Sequence, residues 1–448
     1  MSVIEDARRL LAEGPVCDSC LGRAVADRSH GLRNDERGFA LRVTVALIED
    51  TPAEPPDPLS CWVCEGYSSV VDELATAVAE ALEGIEVGTY QVGSRVPPLV
   101  EENDRLFREE AGIDPEAGDS IGRDLNREVG RRVGAAIGAE VDFDRPDVVC
   151  VLELGAVDPL AIADGASVSG HAVDVQVNPA FVYGRYRKLE RNIPQTEWPC
   201  RDCGGSGTRL ESDGPTDCPG CDGTGYRYDT SVEQLVAPPV VSAMDGETGT
   251  FHGAGREDVD ALMLGTGRPF VLEVTRPRVR TPDTDRLERE INESAADRVA
   301  VSDLRLATHE MVERVKELPA SKRYRASVSF AESVDGAAFD AALRTLSGAT
   351  IEQRTPERVD HRRADRVRKR SVYEADGDHE GPQSATVTVH GEGGLYVKEL
   401  ISGDDGRTNP SLAGELGVAA SVTALDVLAV EGEDEPFERP DLFFEHNG

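Results

Sequence analysis

Eight of the nine cysteines fall into four Cys-x-x-Cys pairs: Cys17/Cys20, Cys61/Cys64, Cys200/Cys203 and Cys218/Cys221. No other feature constrains the fold as much. Two thiolates three residues apart can reach one tetrahedral Zn²⁺, and a second pair completes a closed structural site. The later quartet reads Cys-Arg-Asp-Cys-Gly-Gly-Ser-Gly and then Cys-Pro-Gly-Cys-Asp-Gly-Thr-Gly, with fourteen residues between Cys203 and Cys218. Its glycines permit the positive φ that a knuckle needs beside a metal. In the earlier quartet forty residues separate Cys20 from Cys61, so a metal there pins a subdomain that includes the patterned segment Phe39–Ile48. Four sulfurs leave no open position for water, so both sites read as scaffolding. A thiol–disulfide role is the competing reading, and pairs matched into two quartets suit zinc better. Cys150, within Asp147–Leu152, reads as a core residue of a buried strand.

The 448 residues allow two or three domains. Asp plus Glu number 84 against 48 Lys plus Arg, a formal charge of −36. Long apolar periodic segments exclude a disordered acidic chain. Only five cations are lysine (188, 316, 322, 369 and 398), leaving 43 arginines. An acidic, lysine-poor surface is expected of a halophile, because in molar salt the Debye length falls to roughly 3 Å or less and self-repulsion is screened. Under that reading net charge does not decide against an RNA partner. The sequence shows no basic-then-apolar leader pattern and no run near 18 apolar residues, so a cytoplasmic protein with no membrane partner is expected.

Periodicity divides the chain into a zinc module (1–69), an α/β accessory region (70–190), the second Cys-x-x-Cys knuckle element (191–235) and a further domain (236–448) that begins near Val236-Ala237-Pro238-Pro239. Helices are expected at Val70–Leu82, Glu101–Glu110, Arg123–Ile137, Asp283–Val299 and Ala337–Thr345. Strands are expected at Thr89–Val92, Asp147–Leu154, Ala172–Val177, Phe270–Val274, Tyr324–Phe330, Ala385–His390 and Ala424–Val430. Without regular β-α-β alternation the fold class is α+β. Gly265-Thr266-Gly267 lacks the rest of a phosphate-loop motif and is not read as a nucleotide site.

The stretch Phe251–Asp260 packs glycines, Arg256 and carboxylates into one loop that runs into a strand. Gly255-Arg256-Glu257-Asp258 resembles the Gly-Arg-x-Asp motif of pseudouridine synthases. Lys322-Arg323-Tyr324-Arg325-Ala326 is similar to their Lys-x-Tyr segment, and Gly394-Leu395-Tyr396-Val397-Lys398-Glu399-Leu400 resembles their late strand. Together with Glu352–Val372, Tyr396–Ser411 and Gly184–Trp198, these segments resemble the tRNA pseudouridine(54/55) synthase family across nearly the whole chain. One departure is the acidic stretch Leu210–Asp217 between the second knuckles.

The resemblance implies an N-terminal zinc module, a THUMP-containing accessory domain and a C-terminal catalytic domain with a mixed or antiparallel sheet. It implies an isomerase that converts uridine to pseudouridine at positions 54 and/or 55 of the TΨC arm, with structural zinc and no organic cofactor. Asp258 would be the nucleophile, with Asp260 as its rival, and Arg256 and Lys398 would hold it ionised. Tyr324 would stack on the flipped base and could assist proton transfer at carbon, and Leu400 would close the opposite face. The run His361–Arg370, with Arg362, Arg363 and Arg366, would contact tRNA, as would Arg276, Arg278 and Arg280. A monomer is the default. The alternative is a non-catalytic THUMP-type tRNA-binding protein or tRNA chaperone.

Overall fold

The computed structural model describes residues 2–28, 30–54, 56–211, 214–356 and 365–444. The chain divides into two compact units, Met1–Asn178 and Pro179–Gly448.

In the first unit, helices Val3–Ala12, Asp18–Arg23 and Asn34–Glu49 precede a four-stranded sheet. Its strands are β1 (Thr89–Arg95), β2 (Glu140–Val141), β3 (Val148–Glu153) and β4 (Val173–Val177), in the order β2-β1-β3-β4. β1 runs parallel to β2 and β3, whereas β4 is antiparallel to β3. A parallel pair needs a crossover, and helices Pro98–Glu110 and Ile121–Ile137 lie in the connection. Val148, Cys150 and Leu152 alternate into the core. Burial pushes the Cys150 thiol up to about 11, as suits a packed rather than a reactive cysteine. Cys17, Cys20, Cys61 and Cys64 share one apolar cluster with the sheet. Fully buried Arg23 joins them to the two crossover helices, pairing with Asp104 at 2.7 Å and Asp124 at 3.7 Å. The zinc module expected at 1–69 is therefore continuous with the sheet region.

The second unit carries β5 (Ala180–Lys188), a hairpin of β6 (Thr208–Glu211) and β7 (Gly214–Asp217), then β8 (Thr248–Gly253), β9 (Leu262–Thr275), β10 (Val299–Ala307) and β11 (Ala320–Phe330). There follow β12 (Thr350–Arg354), β13 (Val367–Gly381), β14 (Ser384–Gly391), β15 (Thr408–Asn409) and β16 (Ala420–Gly432). All but the hairpin join one sheet, ordered β10-β5-β9-β16-β11-β14-β13-β12-β15 with β8 on β9. Among the described residues its one parallel contact is the short β9–β16 pairing, Leu262 with Asp426 and Met263 with Val427. One apolar cluster gathers around β5, β8, β9 and β10, another around β11 to β14. Tyr324 packs against both.

Three expectations change. β5 belongs to this sheet, so the limit expected at 190 moves to Asn178–Pro179. The cause is burial on both faces: Val182, Tyr183 and Tyr186 are fully enclosed between β9 and β10. Pro238 and Pro239 lie inside helix Val232–Ala243 rather than at the start of a domain, because Val232, Val236, Ala237 and Val240 bury one face of it. The late segment resembling a strand is instead helix Val397–Ser402, whose Val397, Leu400 and Ile401 recur at helical spacing and are buried.

Candidate active site

β8 and β9 are antiparallel, with Gly253 opposite Phe270, and residues 254–261 form the loop between them. Gly255 turns the loop at φ +69°, and the Ala261 N–H closes it by donating to the Asp258 carbonyl at 3.0 Å. Leu262 then enters the parallel pairing with β16, so the loop stands where the two halves of the sheet meet.

Helix Val397–Ser402 brings Lys398 to this loop. Its Nζ lies 3.3 Å from Asp258 Oδ2 and 3.1 Å from Asp260 Oδ2. Burial would raise the Asp260 carboxyl, but the hydrogen bond and charge of Lys398 hold it below the ordinary range. The β11–β16 register slips between Arg323 and Tyr324, a bulge of the kind that re-aims a side chain beside an active site. Burial pushes the Tyr324 phenol up to about 12, with Arg268 opposing and Asp258 adding to the shift. The Asp258 carboxylate is thus close enough for its charge to act on the Tyr324 phenol.

The other expected residues are placed differently. Arg256 is exposed, and among the described residues it shows no hydrogen bond or ion pair. Leu400 is fully buried in the β11–β14 cluster. Arg362 and Arg363 lie outside the described residues, while Arg366 is exposed and bonds through its backbone to Thr355. Much of the basic run has local partners: Arg368 donates to Thr355, Lys369 pairs with Glu352 and Arg370 pairs with Glu392. Arg276 and Arg278 pair with Glu247 and Asp245.

Sequence reasoning missed the buried charges behind the loop. Glu257, beside Asp258, accepts from Tyr186 Oη at 2.8 Å and Arg268 Nε at 2.9 Å. Burial favours its neutral form, yet Arg268 and Lys188 outweigh that and hold the carboxyl below its ordinary range. Arg268 donates to the Ala254 carbonyl at 2.7 Å, and Gln195 to the Gly255 carbonyl at 2.9 Å. The Asn192 N–H reaches the Val259 carbonyl, and Arg191 the Asp260 carbonyl at 2.8 Å. Residues 188–195 thus back the loop almost atom by atom. The scarcity of lysine could have flagged Lys188.

Each cysteine quartet closes on itself, with all four sulfurs within 4.8 Å of one another. Cys17 and Cys64 Sγ are 3.8 Å apart, Cys20 and Cys61 Sγ 3.7 Å, and Cys203 and Cys221 Sγ 3.8 Å. Tetrahedral zinc with Zn–S bonds of about 2.3 Å requires sulfurs about 3.8 Å apart, so both quartets fit. In the second, the Gly207 and Gly225 N–H groups donate to Cys203 and Cys221 Sγ at 3.3 and 3.2 Å. Among the described residues no helix is long and apolar enough to cross a membrane.

Comparison with known proteins shows the family. The family model "Pus10, C-terminal" matches residues 181–431, and "Pus10 THUMP domain, archaeal" matches residues 74–153. A tRNA pseudouridine synthase Pus10 of Halorubrum lacusprofundi is 58% identical over 99% of this chain and 100% of its own. Its counterpart in Methanothrix thermoacetophila is 41% identical over 96% of this chain and 95% of its own. Among solved structures, a chain of a Cbf5-Nop10-Gar1 complex aligns over 45% of this chain and 46% of its own at 18% identity, with a TM-score of 0.28, too slight a likeness to build on. With one model covering more than half of the chain and relatives matching end to end, the chain belongs to the Pus10 family.

Proposed function

We propose that the protein isomerises uridine to pseudouridine in tRNA, at positions 54 and/or 55 of the TΨC arm, with Asp258 as the nucleophile. The observation that supports this reading is the loop at the sheet's junction, where Asp258 lies 3.3 Å from Lys398 Nζ and close enough for its charge to act on Tyr324. The relatives' printed name, tRNA pseudouridine synthase, supports it.

The chemistry asks little beyond a placed carboxylate. The bond from uracil N1 to ribose C1′ breaks, the base turns, and C5 bonds to C1′. The C5 proton leaves, N1 gains one, and nothing is oxidised or reduced. Asp258 attacks the sugar or the base to hold the separated halves together, and Lys398 keeps its charge in place. A phenol pushed up to about 12 keeps its proton near neutrality, which suits Tyr324 to stacking on the flipped base more than to acting as a base. Leu400 supports the helix that carries Lys398 from within the core. Both cysteine quartets hold zinc as scaffold, and the acidic, arginine-rich surface belongs to a monomer working in a salt-rich cytoplasm.

The test is to incubate an unmodified tRNA transcript with wild type and Asp258→Ala and to map pseudouridine. The variant is expected to lose at least about 10³-fold in rate. Product from Asp258→Ala at the wild-type rate would refute the nucleophile, and tRNA binding by wild type without product would favour a non-catalytic tRNA-binding protein.

A further inference from the structure

Lys188 ends β5 and is fully buried. Its Nζ lies 2.8 Å from the Ile193 carbonyl, 3.2 Å from that of Asp258 and 3.1 Å from that of Val259. An ammonium group has three donors and no acceptor, so three carbonyls use it fully. Glu257 Oε1 stands 3.6 Å away and takes no hydrogen bond of its own, while Oε2 is held by Tyr186 and Arg268. That oxygen serves as countercharge. Two of the three carbonyls belong to the proposed nucleophile and its successor.

We propose that Lys188, with Glu257 as its countercharge, is a positioning residue for the catalytic loop: its three N–H bonds fix the backbone beneath Asp258, so that the carboxylate meets Lys398 and the substrate at one set of distances. The proposal rests on the reading of Asp258 as nucleophile. Arginine could not take the same place, because a planar fork of donors does not fit three carbonyls arranged around one point. The groups facing Lys188 are Glu257 and Asp260 from the loop and Arg268 from β9, with Tyr186 of β5 bonded to Glu257. Burial lowers the Lys188 ammonium, Glu257 and Asp260 support it, and Arg268 opposes it. Without Glu257 the ammonium loses its proton at a lower pH, and a neutral amine has two donors for three carbonyls.

The experiment uses the full chain in molar KCl with saturating unmodified tRNA transcript. It follows single-turnover pseudouridine formation, tRNA affinity and thermal midpoint for wild type, Lys188→Met, Lys188→Arg, Glu257→Gln and Asp258→Ala. Lys188→Met is expected to lose about 100-fold in single-turnover rate, the scale of a misplacement near 1 Å, with tRNA affinity changed less than threefold. Lys188→Arg should not restore it. Glu257→Gln should shift the alkaline fall of the rate to lower pH by at least about one unit, a movement that a purely structural role would not produce.

The proposal is overturned if folded Lys188→Met keeps its rate within threefold, or if its loss lies wholly in tRNA affinity. If Lys188→Met does not fold, a Glu257→Gln pH profile that overlays wild type overturns it instead. Product from Asp258→Ala at the wild-type rate would refute the nucleophile itself. An inactive Asp258→Ala beside a fully active Lys188→Met refutes only the role of Lys188.

Discussion

Two glycines of the second knuckle pair should be far less replaceable than a third. Gly207 and Gly225 occupy matching places, each donating its N–H to a cysteine sulfur, at φ +72° and +81°. A Cβ on Gly207 would stand 2.4 Å from the Gly223 carbonyl oxygen, and one on Gly225 would stand 2.5 Å from that of Gly205. Both obstacles are backbone of the opposite knuckle and cannot swing aside. Gly204 also lies at positive φ, +64°, but its Cβ would meet nothing within 4 Å. The left-handed backbone costs an alanine about 1–2 kcal/mol, and overpacking adds about 1–3 kcal/mol. Gly204→Ala should therefore lose about 1–2 kcal/mol, and Gly207→Ala or Gly225→Ala about 2–5 kcal/mol. Read as the rate of zinc transfer to a coloured chelator, that is about 5–30-fold acceleration for the first and about 30-fold to several thousandfold for the others. Equal release from all three variants would refute the close-approach argument. A wild-type protein with no zinc would refute the metal assignment.

Two more outcomes follow from the charges. Lys398→Gln removes a half-buried cation shared by two carboxylates and should slow single-turnover isomerisation by about tenfold, the worth of a partly exposed pair at about 1–2 kcal/mol. Arg256→Gln, from an exposed position, should act on tRNA affinity instead, and a larger rate loss in Arg256→Gln would reverse the two roles. In the first unit, burial would raise the Asp104 carboxyl but Arg23 and Arg108 hold it low. A depressed carboxyl contributes stability above its unfolded value of about 4 that is lost as pH falls through the folded one. The stability gap between wild type and Arg23→Met, measured by urea unfolding, should therefore narrow below about pH 4, and a gap that widens would contradict the sign.

What could be read from sequence depended on whether the signal was local. Cysteine spacing found both quartets, a continuous apolar run found Val148–Glu153, and alternation found Ser384–Gly391, each strand within a residue or two of its ends. Short motifs singled out Asp258, Tyr324 and Lys398, and the structure puts Lys398 Nζ 3.3 Å from Asp258, whose charge acts on the Tyr324 phenol. β5 was assigned to the wrong unit because a strand buried on both faces has no alternation to betray its partner, and only its pairing with β9 and β10 decides where it belongs. The helix at Val397–Ser402 is too short for its period to be read reliably. Glu257, Arg268, Tyr186 and Lys188 come from separate strands and a loop, so no linear pattern could gather them. Arg256 shows the converse error: adjacency to Asp258 in sequence did not make it a partner in space.

The net charge of −36 becomes compatible with an RNA partner once salt and lysine placement are considered together. Affinity from phosphate contacts falls steeply with salt, so in a molar-salt interior a bare cationic track contributes little. That fits the structure, where Arg368, Lys369 and Arg370 spend their side chains on Thr355, Glu352 and Glu392. An RNA partner of such a chain would lean more on shape, stacking and hydrogen bonds, which salt weakens less. Lysine, rare everywhere else, is concentrated where a compact ammonium does what guanidinium cannot. Lys188 Nζ is enclosed by three loop carbonyls, Lys398 Nζ bridges Asp258 and Asp260, and Lys322 Nζ lies 3.4 Å from where a Cβ on Gly255 would stand. Three of the five lysines therefore converge on one loop of a chain that uses arginine for 43 of its 48 cations. Lys316 and Lys369 lie elsewhere, Lys369 in an exposed pair with Glu352, but the three at the loop place compact charges with tetrahedral donors against its carbonyls and carboxylates, a geometry that a planar guanidinium matches less well.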